Sequence, residues 1–120
     1  MTGTVDAEGR ALLSLRLRHP VSGAESALDV WIDTGFTGDL VLPMQHITQL
    51  NLPLGPLVQA TLADGSEVDL NSYTCRVEWF GKWKRVEVIA NQGQFPLLGV
   101  GLLRNRELQV NYRANVVTLA

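Results

Sequence analysis

Apolar and polar residues alternate along most of this chain, and the period of two predicts one short strand after another. From Leu13 the order is Leu-Ser-Leu-Arg-Leu-Arg, so residues 11–18 have one apolar and one polar face, the pattern of a half-buried strand. His19 to Gly23 turns the chain, and residues 26–33 return as a β-rich strand ending at Asp33. Residues 40–42 form a shorter apolar strand that Pro43 stops. Met44, Ile47 and Leu50 then recur at helical spacing, which allows at most two helical turns before Asn51 and Pro53.

Two hairpins follow. Residues 57–62 and 67–70 flank Ala63-Asp64-Gly65-Ser66, and Asp-Gly between alternating runs is a strong hairpin signal because both turn positions favour positive φ. Residues 73–80 and 83–89 pair across Gly81-Lys82, with Val77, Trp79, Val86 and Val88 suited to a pleated surface. After a loop at 91–94 come a short apolar strand at 96–99 and one or two helical turns at 100–105. A last hairpin, 108–112 with 116–119, turns at 113–115. About nine short strands, two short helices and no linker or repeat predict one all-β domain, residues 1–120, as a closed barrel or a sandwich.

A chain of 120 residues is long enough to bury a core without disulfides or metal. Its net charge of −2 points away from nucleic acid and acidic membranes. Charged residues are only 18% of the chain, against roughly 25% in ordinary soluble domains, so apolar surface is left for a partner subunit. Cys75 is alone, which excludes an internal disulfide and favours a reducing compartment. With Asp6, Glu8 and Arg10 in the first ten residues there is no apolar leader, and no run approaches the ~20 apolar residues of a membrane span. The expected location is the cytoplasm. His19, His46 and Cys75 lack metal-ligand spacing, so no metal or cofactor is expected. The serines lack a nucleophile elbow.

The candidate chemistry is Asp33-Thr34-Gly35. It follows an apolar strand, and Gly35 and Gly38 permit a tight reversal before Leu40. The strand pattern places the Asp33 carboxylate at the tip of a loop leaving the core, a costly position for a charge without a partner or a task.

The order of parts resembles the retroviral-type (retropepsin-like, clan AA) aspartic proteases, especially their small single-domain bacterial members, from about Leu13 to Leu119. Those parts are an Asp-Thr-Gly after an apolar strand, Leu40-Val41-Leu42, a glycine-tipped hairpin, Leu97-Leu98-Gly99, a short helix and a terminal hairpin. The resemblance makes Asp33 the catalytic aspartate, with Thr34 and Gly35 completing its triplet. Ala63, Asp64, Gly65 and Ser66 match the tip of the flap over the substrate. Leu97-Leu98-Gly99 matches the segment through which the active-site loop is threaded. Phe36, Leu62 and Leu98 are candidate walls of side-chain pockets.

That mechanism needs two carboxylates about a bond's reach apart, one ionised and one protonated. The chain holds one Asp-Thr-Gly. The resemblance therefore implies a homodimer that brings two copies of Asp33 together, with an extended peptide as substrate and with Thr34 and the terminal strands at the interface. Phe36 stands where the family has Ala or Ser, and is expected to crowd the cleft. Thr37 stands where the viral enzymes are acidic, which leaves Asp39 with Arg104 or Arg106 as the candidate ion pair. The alternative is a catalytically silent dimeric peptide-binding module on the same fold.

Overall fold

In the computed structural model every residue is described except Leu62, Ala63 and Gln94. The strands are β1 (Thr2–Val5), β2 (Ala11–Arg18), β3 (Glu25–Ile32), β4 (Leu40–Pro43), β5 (Leu54–Thr61), β6 (Glu67–Trp79), β7 (Lys82–Asn91), β8 (Leu97–Leu98), β9 (Leu108–Asn111) and β10 (Val116–Leu119). Two short helices, α1 (Met44–Leu50) and α2 (Val100–Leu103), follow β4 and β8.

The strands make one sheet in the order β5-β6-β7-β4-β8-β3-β2-β1-β10-β9, and β6 also pairs with β2. That extra pairing, Leu17 with Val77 and Arg18 with Arg76, closes β2, β3, β8, β4, β7 and β6 into a ring. The expected closed barrel is therefore present, and closure removes sheet edges that would otherwise template aggregation. The odd-numbered leucines of β2 point inward, and Leu13, Leu15 and Leu17 meet Val30, Leu40, Leu42, Val77, Val88 and Leu98 in the core.

Three expectations change. The runs at 67–70 and 73–80 are one strand of 13 residues. The polar pair between them is absorbed, because Asn71 continues the ladder opposite Leu57 and the buried Ser72 hydroxyl donates to the Pro56 carbonyl. Pro43 is the last residue of β4 rather than a stop before it. Residues 2–8, expected from the resemblance as a terminal strand at a dimer interface, hold β1 at residues 2–5 between β2 and β10, with Thr2 opposite Thr118. The terminal strands thus pair within one chain.

α1 lays Ile47 and Leu50 on the core and ends at Asn51, whose φ of 50° is left-handed, a common helix terminator. His19 ties this end to the 19–23 turn. Its Nδ1 accepts the N–H groups of Val21 and Ser22 at 3.0 Å each, which leaves Nε2–H to donate to the Asn51 carbonyl at 3.1 Å. Replacing His19 by Ala removes all three bonds, and water takes over part of the loss. The expected cost is about 1 kcal/mol, read as a lower denaturant midpoint at unchanged slope. An unmoved midpoint would show that the turn stands without the ring.

Candidate active site

β3 runs out of the core and delivers Asp33 into a loop fixed by its own main chain. The Asp33 N–H donates to the Leu98 carbonyl at 2.8 Å, and the Asp33 carbonyl accepts the Phe36 N–H at 3.2 Å. The carboxylate closes the same turn, Oδ1 accepting the Gly35 N–H at 2.9 Å, as aspartates do at the head of tight turns. Further along, Val100 N–H donates to the Phe36 carbonyl at 2.7 Å, Gly101 N–H to the Gly38 carbonyl at 2.9 Å, and Gly99 N–H to the Asp39 carbonyl at 2.9 Å. The 33–39 loop is therefore threaded against residues 98–101.

The threading requires glycine. A Cβ on Gly99 would run into the Gly38 carbonyl oxygen, the Phe36 ring and the Phe36 carbonyl oxygen. One on Gly101 would meet the Asp39 carboxylate and the Gly38 carbonyl. The missing side chains are what let two backbones touch.

Phe36 lies against this threading. Its half-buried ring packs over Gly38 and Gly99 and becomes part of a wall. That wall faces a groove of about 590 Å³ between the 35–39 loop and the β5–β6 hairpin. Phe36, Val58, Ala60, Leu70 and Ile89 supply its apolar lining, and Asp39 and Glu87 its carboxylates. Asp33 borders a second hollow of about 320 Å³ with Trp31, Ile32, Thr34 and Leu97. Since Gly35 lines the larger space, the Asp-Thr-Gly triplet spans both.

The remaining candidates divide. Leu98 is fully buried in the core, and only its carbonyl reaches the loop; in a two-residue strand the faces alternate, so Leu97 faces the hollow instead. Asp64, Gly65 and Ser66 form the exposed hairpin tip, where the Ser66 N–H and hydroxyl both donate to Asp64 Oδ1 and Gly65 takes φ +86°. The Ser66 hydroxyl, then its amide, hold the Asp64 carboxyl below its ordinary range. Val58 to Thr61 and Leu70 on the arms of this hairpin line the groove, and Asp64, Gly65 and Ser66 are not among its described lining residues. Leu62 and Ala63 lie outside the described residues. The expected ion pair is also replaced. Asp39 Oδ2 accepts the Glu87 N–H at 3.2 Å, Arg106 stacks on Phe80 with its guanidinium carbon 3.5 Å from the ring centre, and no ion pair joins Asp39 to either arginine among the described residues.

Trp31 also lines the hollow at Asp33. It is 39% exposed beside Asp33, and the signal available was its position two residues earlier on the same strand face. It meets Phe95 edge to face at 6.1 Å, and the Arg10 guanidinium covers Phe95 at 4.3 Å. Asp6 holds that arginine at 2.7 Å. The Arg10 backbone amide, followed by its side chain, lowers the Asp6 carboxyl below its ordinary value despite an opposing desolvation. A lowered folded value means that folding favours the ionised form, so this contribution is complete above about pH 4 and disappears as pH falls through the folded value. The melting temperature of Asp6→Ala should trail wild type by a constant gap from neutral pH down to that point and converge on it below. A gap that widens in acid would reverse the sign of the argument.

Cys75 is buried, and desolvation pushes its thiol up to about 11, so it is no nucleophile near neutrality. Among the described residues no cluster of His, Cys, Asp and Glu could hold a metal ion. Among the described residues no helix is long and apolar enough to cross a membrane.

No family model matches this sequence, and no curated protein does. Solved structures match its fold. A retropepsin-like aspartic protease from Rickettsia conorii aligns over 99% of this chain and 88% of its own, with a TM-score of 0.67 at 15% identity. EIAV protease in complex with the inhibitor HBY-793 aligns over 85% of this chain and 92% of its own, with a TM-score of 0.59 at 21% identity. What proteins so distant in sequence share with this chain is the path of the backbone, and that path is the retropepsin-like aspartic-protease fold.

Proposed function

We propose that this protein is an aspartic endopeptidase that works as a twofold-symmetric homodimer, with Asp33 of each protomer at the axis. The observation that carries the reading is the state of Asp33. Its loop is pinned by main-chain bonds, and its carboxylate takes a single hydrogen bond, from the Gly35 amide, among the described residues. A carboxylate held in place yet under-used suits a proton-transfer task.

In the proposed reaction two Asp33 carboxylates lie close enough to share one proton, since both cannot be charged at that separation. The ionised one removes a proton from a water held between them. The protonated one donates a hydrogen bond to the scissile carbonyl and stabilises the charge that develops there. Thr34, exposed beside Asp33, meets its counterpart across the axis. The substrate is an extended peptide lying along the groove, its backbone pairing as an added strand and its apolar side chains meeting Phe36, Val58, Leu70 and Ile89. The test is digestion of an unfolded protein by wild type and Asp33→Asn in parallel, with the products identified by mass spectrometry.

A further inference from the structure

On the outer face of the barrel, where β2, β6 and β7 lie side by side, three arginines fall in one row. Arg18 is the register partner of Arg76, and Arg76 is the partner of Arg85. Their strand neighbours Leu17, Cys75, Val77 and Val86 are buried in the core, so the two-residue period turns the arginines outward. Like charges directly opposed across strands destabilise a sheet. Arg16, on the same face, is neutralised by Glu25 at 2.5 Å and Glu78 at 2.6 Å. Among the described residues no ion pair holds Arg18, Arg76 or Arg85, since Glu25, the register partner of Arg18 on β3, is turned to Arg16. Arg18 leans on the Trp83 ring at 5.3 Å, while Arg76 and Arg85 are exposed.

We propose that this row docks an acidic polypeptide segment that presents two or three carboxylates in close succession. Adjacent strands lie about 4.8 Å apart, so the row spans about 10 Å, and each guanidinium offers a fork that matches a carboxylate. The rim limits what fits. Glu25 on β3 is the register partner of Arg18 and caps one end of the row, and Glu78 follows Arg76 by two residues on β6; both are already engaged by Arg16, and Glu87 follows Arg85 by two residues on the same face of β7. A long polyanion such as nucleic acid would overrun the row onto these carboxylates. A short acidic stretch fits inside the rim. The site stands whether or not the groove hydrolyses peptides.

The test is fluorescence anisotropy of labelled hexaglutamate at low ionic strength, with wild type, Arg76→Gln, Arg85→Gln and the off-row control Lys82→Gln. Wild type should bind, added salt should weaken binding, and each arginine variant should lose at least about fivefold in affinity while Lys82→Gln loses little. In the absence of peptide Arg76→Gln should melt above wild type, because a like-charge contact has been removed, and this separates lost binding from lost folding. No binding by wild type, equal losses from Lys82→Gln, or a lowered melting temperature for Arg76→Gln would overturn the proposal. So would an oligonucleotide of equal charge that binds as tightly as hexaglutamate.

Discussion

Replacing Asp33 by Asn should abolish peptide-bond cleavage and leave the dimer intact. The amide is nearly isosteric with the carboxylate, and its oxygen can still accept the Gly35 N–H that Oδ1 accepts now. It cannot take a proton from water, and in a homodimer the substitution removes both members of the pair at once. The expected loss is at least about 10³-fold in turnover, more than a single positioned acid or base ordinarily supplies. Sedimentation should give the same assembly for both proteins. In the proposed mechanism the wild-type rate should fall on both sides of a pH optimum, since it needs one ionised and one protonated carboxylate at once. A variant that cuts at the wild-type rate would remove Asp33 from the mechanism. Wild type that forms a dimer, binds peptide and never cuts it would make the groove a binding site alone.

Gly99→Ala should be the most damaging single-methyl change in the chain's second half. The added carbon meets two carbonyl oxygens and the Phe36 ring at once, and two of those three obstacles are backbone that cannot rotate aside. The 98–101 segment is held from both ends by hydrogen bonds to the loop, so it cannot retreat without breaking them. Overpacking in a tight site costs typically 1–3 kcal/mol and more where backbone must move, so a loss of about 3 kcal/mol and on the order of 10 °C in melting temperature is expected. Activity should fall further than stability does, since the displaced loop carries Asp33. A variant that melts with wild type would mean that the two segments can separate cheaply.

The strands could be read from the sequence because their alternation is local. β2, the Asp-Gly hairpin and the last hairpin each show their pattern within a few residues. The closing of the barrel could not, since it depends on Arg18 meeting Arg76, a contact between distant segments that no local pattern encodes. The break expected near Asn71 failed for a related reason. Two polar residues look like a turn until a neighbouring carbonyl, here that of Pro56, accepts the buried hydroxyl. At the site, the Asp-Thr-Gly loop and its glycine-bearing partner were legible as motifs. Which of Leu97 and Leu98 faces the hollow depended on the phase of a two-residue strand, and the use of Asp39 depended on the parallel pairing of β4 with β7.

The threaded loop has a consequence for how this protein can change over time. Five main-chain hydrogen bonds from residues 33, 36, 99, 100 and 101 set the loop's course, and backbone amides are the same whatever side chain they carry. Exposed Thr37 can therefore be exchanged without shifting the Asp33 carboxylate. The glycines at 38, 99 and 101 are bound by shape. Preference for one partner over another can be retuned at the rim by drift, while the position of the Asp33 carboxylate is inherited from the scaffold.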